Sequence, residues 1–312
     1  MAPAVQSSQP MVAASTELVG RRFGYDIERV DERVQHILGD QDAATYAPVR
    51  AVTTAPGKRV RAALALLCAD AVSLPPALAI ELAAGVELVH AFSLVHDDIE
   101  DDASIRRGRP SVHVVEGLPI AINAGDALHA LSWSVFLGLD APERCVVEVA
   151  QLFGATLQRV VAGQARDLLW TREGRRDVTY EEYVEMVRGK TGALLGFAAA
   201  APAALNGHPG SAHLYRFGEQ LGIAFQLLDD VAGLRGASHE LGKPVGPATN
   251  GAASGPAVLA SHDDDGVDRA IVRAHEHVAC ASVQLENAGF RDTRTIRNFA
   301  VGIVRQLLAR HG

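Results

Sequence analysis

Asp97 and Asp101 stand one helical turn apart within residues 86–113, VELVHAFSLVHDDIEDDASIRRGRPSVH. A helix places residues i and i+4 on one face, so the two carboxylates can share a cation. Hard divalent cations such as Mg²⁺ take carboxylate oxygens and fill their remaining positions with water and phosphate oxygens. Arg106 and Arg107 follow about a turn and a half later, and guanidinium groups hold phosphates by paired, charge-assisted hydrogen bonds. Carboxylates, cation and arginines together describe a diphosphate site. An acidic run is more often a solvated face, but the flank reverses that reading here. Val86, Val89, Phe92, Leu94 and Val95 make an apolar helix that carries Asp97, Asp98 and Asp101 at the mouth of a core. Charge placed there is costly unless it is paired or bound to metal.

A second carboxylate pair, Asp229-Asp230, ends another apolar run, FQLLDD over 225–230, and is followed by Gly242-Lys243-Pro244-Val245-Gly246. Two such helix ends facing each other would hold acidic clusters across one cavity.

The elements that must position these groups read as helices almost throughout. Helical patterns cover 24–38, 59–72, 77–101, 121–138, 142–170, 179–188, 190–205, 211–234, 266–288 and 292–310. The chief irregular stretch is 235–265, rich in Gly, Ala, Ser and Asp, a loop or loop–helix–loop of the kind that covers active sites. Residues 1–16 are rich in Ala, Ser, Gln and Pro, lack a basic start and apolar core, and read as a disordered tail. Residues 17–312 then form a single all-α domain.

Composition narrows the function classes. Apolar residues make up 48% and aromatics only 5%, which suits a helical protein with small side chains at its helix contacts. A net charge of −8 without a basic stripe argues against nucleic-acid binding. The stretch Thr191–Gly207 is uncharged but interrupted by Pro202, and is too short for a membrane span. Cys68, Cys145 and Cys280 are isolated, which excludes a zinc cluster or disulfide framework and fits a cytoplasmic protein.

Over roughly residues 40–260 the chain resembles the trans-isoprenyl diphosphate synthases of the polyprenyl synthetase family. The resemblance rests on an ordered set of motifs. These are Gly57-Lys58-Arg59-Val60-Arg61, DDIED at 97–101 with Arg106-Arg107-Gly108, Ala124-Gly125-Asp126, Gly163-Gln164 with Asp167, Gly189-Lys190-Thr191, Phe225-Gln226 with Asp229-Asp230, and GKPVG. It implies an isoprenoid synthase-type helical bundle around a central cavity, usually a homodimer. It also implies Mg²⁺-dependent head-to-tail condensation of isopentenyl diphosphate with an allylic diphosphate. By the same resemblance Asp97 and Asp101, with Asp98 beside them, would bind two Mg²⁺ ions and Asp229 a third. Arg106, Lys190 and Lys243 would clamp the allylic diphosphate. Lys58, Arg61, His90 and Arg107 would hold isopentenyl diphosphate, and Thr191 and Gln226 would lie beside the reacting carbons.

Two departures stand out. The second motif reads Asp229-Asp230-Val231-Ala232-Gly233, without the usual third carboxylate, a form that also resembles an actinobacterial branch of geranylgeranyl diphosphate synthases. A lysine usual after GKPVG is replaced by Ala252. Losing one charge-assisted bond weakens a diphosphate clamp by roughly 1.5–3 kcal/mol. Phe92 and Ser93, five and four positions before Asp97, would form the floor that stops chain growth. That predicts a twenty-carbon product, with fifteen carbons next. The other functional readings are a terpene synthase on this fold, opposed by the intact isopentenyl diphosphate residues, and a non-catalytic partner subunit, opposed by intact DDIED.

Overall fold

Alanine, leucine and valine at helical spacing build nearly every element of the chain. The computed structural model describes residues 13–39, 41, 43–53, 57–234, 254–259 and 265–309. Helices α1 (Ala13–Gly39), α2 (Ala43–Thr53), α3 (Val60–Ala71) and α4 (Pro76–Glu100) precede a two-stranded hairpin, β1 (Ile105–Arg106) and β2 (Arg109–Pro110). Then come α5 (Val112–Glu116), α6 (Leu118–Leu137), α7 (Glu143–Glu173) and α8 (Tyr180–Val187). A π-helical turn, Arg188–Gly192, leads into α9 (Ala193–Leu205), followed by α10 (Ser211–Leu234), α11 (Gly255–Leu259), α12 (Gly266–Asn287) and α13 (Arg294–Ala309).

The all-α expectation holds, and the long helices match their expected spans closely. Three differences stand out. Pro48 lies inside α2, which disguised that helix in the sequence. The first helix begins at Ala13, so it takes in the last four residues of the segment read as tail. The expected helix start at 190 falls inside the π turn, which joins α8 and α9 into one continuous helical run.

The core is tight because its side chains are small. Every residue of α9 is buried. A Cβ on Gly218 of α10 would lie 2.3 Å from the Leu195 carbonyl oxygen, so α9 and α10 meet backbone to backbone. A Cβ on Gly85 of α4 would lie 2.6 Å from the Phe136 ring of α6. Phe136, Phe153 and Phe197 pack edge-on or tilted against one another, with ring centres 4.7–5.4 Å apart, and fill the space between α6, α7 and α9. This dry packing fixes the ends of α4, α7 and α10, where the polar residues sit.

Helices α4 and α7 are each long and apolar enough to cross a membrane by length and composition. In α4, 72% of the apolar window is buried inside the bundle, as a core helix requires.

Candidate active site

The last turn of α4 forms an acidic pole. Arg106, on the hairpin, donates from Nη2 to Asp97 Oδ2 at 2.8 Å and from Nε to Asp98 Oδ1 at 2.7 Å. Asp98 is buried, and burial pushes its carboxyl above the ordinary range despite the opposing pull of Arg106. Asp98 therefore anchors Arg106, whereas Asp97 is half-buried and Asp101 is exposed at the C-cap. Gln164 of α7 reaches across, donating to Glu100 Oε2 at 2.7 Å and to Asp97 Oδ1 at 3.5 Å.

Lys190 adds a second positive group, 2.6 Å from Asp167 Oδ2 and 3.6 Å from Asp97 Oδ1. Burial pulls its ammonium down, but Asp167 and Asp97 outweigh that and hold it above the ordinary lysine range. The π turn that carries Lys190 is pressed onto α7 at two glycines. A Cβ on Gly163 would lie 2.2 Å from the Lys190 backbone nitrogen, and one on Gly189 would lie 2.6 Å from the Arg159 carbonyl oxygen. The widened turn rotates Lys190 and Thr191 toward neighbouring helices, a common use of π geometry at functional sites.

Thr191 Oγ1 donates to Gln226 Oε1 at 2.9 Å, which joins the π turn to α10. Gln226 Nε2 donates to Asp230 Oδ1 at 2.8 Å. Asp230 Oδ2 accepts from the Tyr183 hydroxyl at 2.7 Å and from the Gly255 backbone N–H at 2.8 Å. Burial raises the Asp230 carboxyl, with these three donors opposing. Asp229 stands beside it, half-buried on α10.

The opposite pole is cationic. Arg59 and Arg107 both adopt left-handed backbone conformations, with φ of 45° and 52°. Arg107 and Gly108 (φ 73°) are the two turn residues of the β1–β2 hairpin, the primed geometry that requires positive φ at both positions. An L-residue held there costs of order 1–3 kcal/mol, and such strain concentrates at functional sites. The turn packs the Arg107 guanidinium against Gly57, where a Cβ would lie 2.9 Å from Nη1. Arg61 Nη1 lies 3.4 Å from His90 Nε2. Burial depresses Arg61 to about 10, with Arg107 adding to the shift and Glu87 opposing it. Burial, then Arg61, Arg107, Arg106 and Arg59, hold His90 well below the ordinary imidazole range. Buried Glu87 accepts from Arg59 Nη1 at 3.3 Å and from the Ala62 N–H at 3.2 Å. Arg61 Nε and His90 Nδ1 are buried without a hydrogen-bond partner. A small cavity opens on this cluster, lined in part by Arg59, Glu87, His90, Leu94 and Arg107. Lys58 Nζ lies 5.5 Å from the Phe225 ring centre, next to Gln226. Crowded guanidiniums and orphaned donors of this kind suit a polyanion.

The structure thus gathers Asp97, Asp98, Arg106, Lys190, Thr191 and Gln226 through linked contacts, with Arg61, His90 and Arg107 at the second pole. Phe92 is half-buried, edge-on to His96 at 5.3 Å and stacked on His129 at 5.1 Å. Ser93 Oγ turns back to the His90 carbonyl at 2.8 Å. Lys243, the GKPVG segment and Ala252 lie outside the described residues. Glu87, Tyr183 and His129 escaped the sequence reading. Glu87 sits one turn before His90 on the same helix face, which was the available signal; Tyr183 and His129 gave none.

The acidic pole fits a hard divalent ion: its donors are carboxylate oxygens, already facing the cations Arg106 and Lys190. Among the described residues no three His, Cys, Asp or Glu side chains converge on one point. Ions held by Asp97 and Asp101, and a further one held by Asp229, would therefore complete their shells with water and diphosphate oxygens, the habit of Mg²⁺.

Comparison with known proteins identifies relatives of the chain. The polyprenyl synthetase family pattern matches residues 42–284. A short chain isoprenyl diphosphate synthase of Methanothermobacter thermautotrophicus is 40% identical over 224 residues, which covers 70% of this chain and 67% of that protein. A geranylgeranyl pyrophosphate synthase of Geoglobus acetivorans is 37% identical over 220 residues, 70% of this chain and 68% of that one. The crystal structure of geranylgeranyl pyrophosphate synthetase from Pyrococcus horikoshii superposes with a TM-score of 0.83 at 29% identity, covering 93% of this chain and 98% of that one. On the extent of these matches, the chain belongs to the polyprenyl synthetase family.

Proposed function

We propose that the chain is a prenyltransferase that condenses isopentenyl diphosphate head-to-tail with an allylic diphosphate, yielding a short-chain product. The observation that carries this reading is the pair of poles: carboxylates at the end of α4, and a strained, buried guanidinium cluster beside His90. A diphosphate bound through metal belongs at the first, and one bound by the chain's own basic side chains without metal belongs at the second.

Mg²⁺ ions held by Asp97, Asp101 and Asp229 would supply charge stabilisation for the departing diphosphate. The chain's own residues do the rest. Lys190 and Arg106 neutralise the charge that develops as the allylic carbon–oxygen bond breaks. Arg61, Arg107, Lys58 and His90 hold isopentenyl diphosphate so that its double bond faces the cationic carbon. His90, kept neutral, can donate one N–H to that diphosphate without adding to the crowd of cations. The new carbon–carbon bond forms, and the condensed intermediate loses a proton to the released diphosphate, restoring neutrality at carbon. Lys243 joins the allylic clamp, as the family resemblance suggests.

Phe92, backed by His129 and His96, forms the floor against which the tail stops, and Ser93 lies beside it. We assign a twenty-carbon product, with fifteen carbons as the shorter alternative. A homodimer would cover Val114, Val115, Leu118, Ile120 and Ile122, apolar side chains exposed on α5 and α6. Three free cysteines accord with the reducing cytoplasm.

Calorimetry separates the poles without turnover. Isopentenyl diphosphate should bind without metal and lose most of its affinity in Arg61→Gln. Dimethylallyl diphosphate should need Mg²⁺. Metal-dependent binding of both, unaffected by Arg61→Gln, would defeat the assignment.

A further inference from the structure

The second carboxylate pair looks like one acidic cluster in the sequence, but the structure divides it. We propose that Asp230 is a positioning residue and not a metal ligand: it fixes the carboxamide of Gln226, and through it the hydroxyl of Thr191. The inference rests on the prenyltransferase reading of the site and deepens it.

Both Asp230 oxygens accept hydrogen bonds from the protein. Oδ2 takes the Tyr183 hydroxyl and the Gly255 N–H, and Oδ1 takes Gln226 Nε2. Tyr183 is fully buried, and Gly255 is admitted only because it lacks a side chain. A Cβ there would lie 2.6 Å from Leu227 Cδ2 and 3.1 Å from the Tyr183 hydroxyl. A carboxylate that accepts three donors can meet Gln226 only with the amide nitrogen, since it has no proton to offer the oxygen. Gln226 must therefore turn Oε1 toward Thr191, 2.9 Å away, and the Thr191 hydroxyl must donate to it. The Thr191 oxygen is left as an acceptor only. An acceptor of fixed orientation beside an allylic cation stabilises positive charge with no reorganisation at the moment of reaction.

Asp230→Asn tests this, because asparagine keeps the shape and inverts one polarity. Its Oδ1 can still accept from Tyr183 and Gly255, but its NH₂ faces Gln226. The carboxamide must then flip and present Nε2 to Thr191. Adding Gln226→Glu restores every donor–acceptor pair. One oxygen of the introduced carboxylate accepts from the asparagine NH₂, and the other accepts from the Thr191 hydroxyl.

The assays are kcat, both substrate KM values, and calorimetric binding of inorganic diphosphate with Mg²⁺. Asp230→Asn should lower kcat on the order of 10²-fold, with Mg–diphosphate affinity within about threefold of wild type. The double variant should recover at least about tenfold of that loss, and Asp229→Asn should weaken Mg–diphosphate binding instead. The proposal is overturned if Asp230→Asn weakens Mg–diphosphate binding as Asp229→Asn does, if its kcat is unchanged, or if the double variant gains nothing. Should Asp230→Asn not fold, Tyr183→Phe removes a single donor and is judged by the same split between kcat and binding. The binding arm needs no turnover. A wild-type protein that binds Mg–diphosphate but never elongates would defeat the proposed function, while the binding comparison would still decide the roles of the two aspartates.

Discussion

Gly163→Ala is a one-methyl change at a position with no functional group, and it should nevertheless disable the site. The added Cβ would lie 2.2 Å from the Lys190 nitrogen, 2.8 Å from the Gly189 carbonyl carbon and 2.8 Å from the Met186 oxygen. All three are backbone atoms, so none can rotate away. Ordinary contact begins at 3.4 Å, which requires α7 and the π turn to part by at least 1.2 Å. The same movement stretches the 2.6 Å Lys190–Asp167 bond beyond hydrogen-bond reach, because its two ends lie on the two separating elements. A displacement near 1 Å of a positioned group costs roughly 10²-fold in rate. Overpacking of this kind costs about 1–3 kcal/mol in stability, a drop in Tm of a few degrees for a domain of this size. Gly154→Ala is the control on the same helix, because its Cβ would meet only Trp133, at 3.5 Å. Initial condensation rates and circular-dichroism melts of both variants decide the matter. A folded Gly163→Ala enzyme that keeps half of the wild-type kcat/KM would refute the reasoning, as would equal damage from Gly154→Ala.

Phe92→Ala should lengthen the product by removing the ring stacked on His129, read by chromatography of the dephosphorylated alcohols; unchanged length would remove Phe92 as the floor. Gly233 is exposed with nothing within 4 Å of a Cβ, so Gly233→Asp should fold normally and lower the half-saturating Mg²⁺ concentration a few-fold in rate assays. An unchanged Mg²⁺ requirement would show that a third carboxylate is dispensable here. Burial holds His277 at about 4, and neutral His277 lies within hydrogen-bond distance of Tyr180 and Gln220. Its folded pKa lies below its unfolded value near 6.5, so its contribution is present above 6.5 and is lost as pH falls toward 4. After allowance for partial exposure, wild type should lose about 1 kcal/mol more than His277→Gln in urea melts between pH 7.5 and 5. Equal losses would contradict this.

Much of the molecule was legible in the chain because its signals are local. Apolar spacing marks the long helices, and carboxylates at i and i+4 at the end of an apolar run mark the acidic pole. What escaped depends on approach between distant segments. Nothing near Tyr183 announces that its hydroxyl meets Asp230, forty-seven positions later. The sequence reads as two helices, 179–188 and 190–205, and only the Gly163–Gly189 contact explains why a widened turn joins them. The pairing of Phe92 with His129 likewise depends on α4 crossing α6. Asp98 and Asp230 looked equivalent to their neighbours in sequence; burial separates Asp98 from half-buried Asp97, whereas Asp230, as half-buried as Asp229, is set apart by its three protein donors.

The most direct test of the two-pole account is turnover itself. Purified protein would be given labelled isopentenyl diphosphate with farnesyl diphosphate, with and without Mg²⁺, beside an Asp97→Ala variant verified as folded. The account predicts label in a twenty-carbon alcohol after dephosphorylation, absent without Mg²⁺ and absent in the variant. Label transfer that survives Mg²⁺ removal or Asp97→Ala, or no transfer with any allylic primer, would contradict it.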